Sequence, residues 1–207
     1  MSAKRIEHVN AVSGRYQELF RAAVDELQAE DEVLGSAMAK GRAATGGYVD
    51  VARGLTYWLF ETTLVYFIFR AWVRHDHVAW EHVVGPSSDR PDAYTERRRG
   101  ASEKCDIVLL GDTNSPVAAF EAKWWNSNLS GKALLSDVKK LRRTCPGIDK
   151  FLLTFWWSTD TEGDLNDAKR FCTRNGLSLV YCASFDTLLV ADKAGAFTLG
   201  AIKVPEH

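Results

Sequence analysis

Three residues of this chain could share one piece of chemistry: Asp106, Glu121 and Lys123. They lie on two apolar runs, Cys105-Asp106-Ile107-Val108-Leu109-Leu110 and Val117-Ala118-Ala119-Phe120-Glu121-Ala122-Lys123-Trp124. Between the runs is Gly111-Asp112-Thr113-Asn114-Ser115-Pro116, a stretch bounded by Gly and Pro, and this pattern predicts a β-hairpin. If the hairpin closes symmetrically, Leu110 pairs with Val117 and, counting outward, Asp106 pairs with Glu121. Directly opposed strand residues project to the same face, and Lys123 joins them at period two. Facing carboxylates repel unless positive charge sits between them, and a divalent cation with a lysine beside it meets that need. Such a face suits hydrolysis of a phosphodiester. The same three residues would also serve as a structural ion-pair cluster on a half-exposed sheet.

A third acid belongs with them. Glu61 falls on one helical stripe with Tyr57, Leu64, Val65, Ile68 and Trp72, where an ionised carboxylate is costly unless it meets a cation. A metal ion or Lys123 would be that cation; an arginine partner is the alternative. Glu81 competes for the same role from the following strand, although its neighbours Trp80 and His82 face the other way.

The elements that must position these groups follow from pattern. The first 45 or so residues read as helical, with Ser13 as a cap, Tyr16, Phe20, Ala23 and Leu27 inward, and the acidic run from Glu26 to Glu32 as a solvated face. A Gly-rich break, Lys40 to Gly47, suggests a helical appendage over residues 1–47, with the main domain over 48–207. An apolar helix is expected from about Asp50 to Arg74, then a strand over Val78 to Val84, a polar loop to Lys104, and the hairpin. A helix over Ser130 to Arg143 follows, with Leu134, Val138 and Leu141 inward and Lys132, Lys139, Lys140, Arg142 and Arg143 outward. A buried strand at Phe151 to Trp157, a helix at Asp164 to Asn175 closed by Gly176, a strand at Leu177 to Cys182 and a small terminal hairpin complete the chain. This order predicts an α/β fold with a mixed central sheet flanked by helices.

The bulk numbers are those of an ordinary globular protein: 207 residues, 46% hydrophobic and 26% charged. A formal net charge of -1 gives no general affinity for nucleic acid, so any such contact needs a local patch. Four scattered cysteines without a Cys-x-x-Cys pair read as free thiols in a reducing compartment, and no signal segment opens the chain, which points to the cytoplasm. Leu55 to Val73 is apolar enough to raise the question of a membrane span. It carries Glu61 and Arg70, however, and a charge at the bilayer centre costs at least about 2.5 kcal/mol, so a buried helix is expected and no membrane. His75, His77 and His82 lack zinc spacing, and most of the seven tryptophans abut strands and read as core.

With the order helix, strand, strand, strand, helix, strand over residues 50 to 157, an acid on the second strand and Glu121-Ala122-Lys123 on the third, the chain resembles the PD-(D/E)xK nuclease superfamily, whose fold is restriction-endonuclease-like with an αβββαβ core. The resemblance covers roughly two-thirds of the chain. One departure is Cys105, which precedes Asp106 where the superfamily's name has proline; many members lack that proline.

The resemblance implies a metal-dependent endonuclease, a hydrolase of phosphodiester bonds acting on DNA. Asp106, Glu121 and the carbonyl of Ala122 would hold Mg²⁺ or Mn²⁺, Lys123 would act on the nucleophile or the phosphate charge, and Glu61 would be the additional helix acid. Arg97, Arg98 and Arg99, with Lys139 and Lys140, are the basic residues available for DNA phosphates, or for ordinary surface solvation. Binding to RNA or nucleotides, and a non-catalytic scaffold role, are the alternatives. A homodimer or a protein partner for targeting would supply affinity that the net charge does not.

Overall fold

The computed structural model describes residues 5–10, 12–39, 61–83, 104–125, 131–144, 146–188 and 194–206. Their elements run β1 (Arg5–Val9), α1 (Gly14–Ala39), α2 (Glu61–Trp72), β2 (Val78–Val83), β3 (Lys104–Leu110), β4 (Pro116–Trp124), α3 (Lys132–Thr144), β5 (Asp149–Ser158), α4 (Thr161–Arg174), β6 (Ser178–Leu188) and β7 (Ala194–Lys203). The strands form one sheet in the order β1-β6-β7-β5-β4-β3-β2. It is a mixed sheet: β4 and β5 are parallel and joined by the crossover helix α3, and the other neighbours are antiparallel.

Each face of the sheet is covered by two helices because each strand alternates its side chains. On one face, Phe20 and Leu27 of α1 and Ile68 and Trp72 of α2 pack on Phe120, Phe151, Tyr181 and Phe197. On the other, Val138 and Leu141 of α3 and Leu165 and Cys172 of α4 pack on Ala119, Leu152 and Ile202. The rings of Phe120 and Phe151 stack with centroids 5.2 Å apart. Each such buried side chain contributes about 1.5–3 kcal/mol. Because Phe120 and Ala122 face the α1/α2 layer, Glu121 and Lys123 are directed toward the α3 layer.

Several expectations needed revision. The N-terminal stretch is not all helical: β1 forms a sheet edge against β6. Over their described part, residues 1–47 add β1 to the edge of the sheet and α1 to its core, while the expected boundary at 47 lies outside the described residues. The acidic face of α1 is not simply solvated. Arg70 Nε donates to Glu26 Oε1 at 2.6 Å and its Nη2 to Glu30, and Arg74 Nη1 donates to Glu26 Oε2 at 2.8 Å, joining α1 to α2. The terminal hairpin is neither small nor peripheral, since β7 lies between β5 and β6 and buries Phe197, Leu199, Ala201 and Ile202 on both faces. Near-continuous apolar runs are what an interior strand requires.

Other local readings hold. Gly176, with φ +63°, follows α4, and the N–H of Leu177 bonds Cys172 O at 2.9 Å, the left-handed closure expected of a glycine there. The part of the predicted α2 before Glu61, including Tyr57, lies outside the described residues, as do the Arg97–Arg99 loop and Cys145. Cys172 and Cys182 are buried free thiols, and Cys105 is buried as well. Among the described residues no helix is long and apolar enough to cross a membrane.

Candidate functional site

The hairpin register is the one counted from the sequence except at its closed end. Ile107 lies opposite Phe120, Val108 opposite Ala119 and Leu109 opposite Ala118, but Leu110 pairs with Pro116 rather than Val117. The irregularity lies beside the turn, where Asn114 has φ +57° and Gly111 N–H bonds Ser115 O at 2.8 Å, so it leaves the count toward the open end intact. One step beyond Ile107–Phe120, Asp106 is level with Glu121.

Asp106 departs from the regular ladder on both sides. Toward β2, Trp80 pairs with Ile107 and His82 with Cys105, and Glu81, level with Asp106, has a left-handed φ of +46°. That conformation costs a non-glycine residue roughly 1–2 kcal/mol. Toward β4, the Asp106 carboxylate takes the place of a backbone acceptor: its Oδ2 receives the N–H of Ala122 at 2.8 Å. A strand residue's N–H and C=O project to the same edge, so the Ala122 carbonyl is directed toward β3 as well.

Glu61 reaches this end of β4 from the opposite helix layer. Lys123 Nζ donates to Glu61 Oε1 at 3.0 Å, and the N–H of Trp124 donates to Glu61 Oε2 at 3.2 Å. Its competitor Glu81 is exposed, with its carboxylate 3.9 Å from Lys104 Nζ. Among the candidate acids, then, the structure brings together Glu61, Asp106 and Glu121, and Lys123 with them.

The sequence offers Lys139 and Lys140 of α3 as DNA-phosphate contacts, but not what α3 gives the acid cluster. Lys140, expected to face outward, turns its ammonium onto Glu121 Oε1 at 2.6 Å. Asp137, three residues earlier on the same helix face, is half-buried and interacts electrostatically with Lys123, Lys140, Glu61 and Asp106. A signal for it existed: at helical spacing Asp137 falls between the inward Leu134 and Leu141. Lys139 is exposed, as expected.

The electrostatics follow from burial. Glu121 is only 5% exposed. Burial, and then the charge of Asp106, outweigh Lys140 and push its carboxyl up to about 7. Burial likewise raises Asp106, with Glu61's charge adding to it, while the Ala122 hydrogen bond and both lysines pull back only in part. Asp137 is raised chiefly by burial. Burial would lower both lysines, but the hydrogen bond and charge of Glu61 hold Lys123 above its ordinary value, and those of Glu121 do the same for Lys140.

The donor chemistry fits a hard divalent cation. Among the described residues, four carboxylates, Glu61, Asp106, Glu121 and Asp137, face two ammonium groups, a balance two positive charges short when all are ionised. Among the described residues no three His, Cys, Asp or Glu side chains are grouped closely enough to hold an ion together. The donor set in question needs only two carboxylates and a backbone carbonyl, since Mg²⁺ keeps several of its waters. A groove of about 540 Å³ lined by Arg15, Asp76, His77 and Asp112 lies at the turn end of the hairpin, away from these acids. No family model, no curated protein and no solved structure matches the chain.

Proposed function

We propose that this chain is a Mg²⁺- or Mn²⁺-dependent deoxyribonuclease of the PD-(D/E)xK type on a restriction-endonuclease-like core. The observation that carries the reading is the meeting of Glu61, Asp106, Glu121 and Lys123 at the open end of the β3–β4 hairpin, drawn from one helix and two strands. The order α2-β2-β3-β4-α3-β5, with β4 and β5 parallel across α3, supports it further.

Asp106, Glu121 and the Ala122 carbonyl would hold the ion. When bound, it supplies Lewis-acid polarisation of the phosphoryl oxygen and acidifies a water. Lys123 stays protonated at neutral pH and presents its charge to the negative charge that develops on phosphate. Glu61 positions Lys123, and its own carboxylate is steadied by the Trp124 N–H. Asp106 is held at β4 by the Ala122 N–H.

The substrate is DNA, with Lys139 and the Arg97–Arg99 loop as the phosphate contacts. A net charge of -1 gives little nonspecific affinity, so a homodimer or a targeting protein supplies the rest. Buried free thiols suit a cytoplasmic setting. A second reading, a non-catalytic binding or scaffold module, is favoured by one observation: both lysines of the cluster are already paired with acids.

The test is incubation of purified protein with plasmid, linear duplex and single-stranded DNA and with RNA, with and without Mg²⁺, beside Lys123→Ala. Cleavage of DNA that needs Mg²⁺ and is lost in the variant supports the nuclease. Cleavage of RNA alone would change the substrate class. Equal behaviour of the two proteins would leave the scaffold reading standing.

A further inference from the structure

We propose that Lys140 is an exchangeable internal counter-ion: it neutralises Glu121 while the site is free of metal and leaves that carboxylate when a divalent cation binds, its ammonium then facing the substrate phosphate. The inference rests on the metal-site reading above and adds to it a residue from α3.

The geometry points this way because the two lysines of the cluster are held differently. Lys123 is paired with Glu61, which also accepts the Trp124 N–H and lies on the α2 side of the cluster. Lys140 is paired with Glu121, one of the two carboxylates that would hold the ion, at 2.6 Å from Oε1. Mg²⁺ sits about 2.0–2.1 Å from its oxygen ligands. An ammonium in contact with the same oxygen occupies that approach, so the two cations compete for it.

Lys140 is also built to leave. Its charge sits on a flexible four-carbon stem. Its side chain is 26% exposed, whereas that of Glu121 is 6% exposed. The lysine therefore has a path to solvent that the acid lacks. Asp137, one turn earlier on α3, offers it negative charge on the way out.

The test uses the whole chain without DNA. Amine acetylation read by mass spectrometry, with and without Mg²⁺, reports the exposure of Lys140, and exposed Lys139 serves as the internal reference. A calorimetric Mg²⁺ titration accompanies it. The expected result is that saturating Mg²⁺ raises labelling of Lys140 severalfold and leaves Lys139 unchanged. In addition, Lys140→Gln should bind Mg²⁺ about tenfold more tightly than wild type, about 1.4 kcal/mol, while Lys139→Gln does not. If Lys140→Gln fails to fold, the labelling of wild type decides alone. Mg²⁺ binding with unchanged labelling of Lys140, or an equal gain in both variants, overturns the exchange and leaves the nuclease reading intact. Absence of any Mg²⁺ binding overturns both.

Discussion

Lys123 Nζ lies 3.0 Å from Glu61 Oε1, a contact between residues 62 positions apart in the chain that ties the end of β4 to the first residue of α2. Both side chains are about one-third exposed, 34% and 32%, so solvent screens the pair and its contribution to stability is small, on the order of 0–1 kcal/mol. Its consequence is positional: it fixes the Lys123 ammonium near Asp106 and Asp137.

Glu61→Gln should therefore separate function from stability. It should slow DNA cleavage about 100-fold while changing the unfolding free energy by less than about 1 kcal/mol. Chemical denaturation and single-turnover kinetics on the same preparations check both halves. A variant that unfolds readily, or one that cleaves at the wild-type rate, contradicts the positioning role.

The burial of Glu121 gives a pH signature in cation-free protein. Its carboxyl is raised from an ordinary 4.5 to about 7, so between those values the folded chain binds more protons than the unfolded one. The stabilisation from this group is fully present below about 4.5 and is lost as pH rises through about 7, a fall of roughly 3 kcal/mol. Denaturation of wild type and Glu121→Gln between pH 4.5 and 8 measures it. The decline should be shallower in the variant, and a wild-type stability that rises across this window would be the wrong sign.

Gly200 of β7 lies opposite Thr154 of β5. A Cβ there would sit 2.8 Å from Thr154 Oγ1 and 2.9 Å from the Trp156 ring. Gly200→Ala should destabilise the fold by about 1–3 kcal/mol through overpacking, measured as a lower denaturation midpoint with an unchanged slope.

What could be seen in the sequence was what is local. Period-two alternation and turn residues located the hairpin and opposed Asp106 to Glu121, and helical period placed Leu64, Val65, Ile68 and Trp72 inward. Closure at Pro116 rather than Val117 depends on backbone conformation at Asn114, which composition does not encode. Charge on an amphipathic helix ordinarily faces water, which predicts Lys140 outward, and only the crossover that brings α3 over β4 supplies Glu121 as its partner. The insertion of β7 between β5 and β6 and the pairing of β1 with β6 are non-local choices that neither strand's own sequence records.

The central claim is that Asp106 and Glu121 are the acids on which phosphodiester cleavage depends. The most direct measurement is the rate of Mg²⁺-dependent DNA cleavage by wild type, Asp106→Asn and Glu121→Gln, each verified as folded. The account predicts cleavage by wild type that stops on chelation and falls by at least roughly 10²–10³-fold in each variant. Folded wild type with no cleavage under any divalent cation, or variants that cut as fast as wild type, would contradict it.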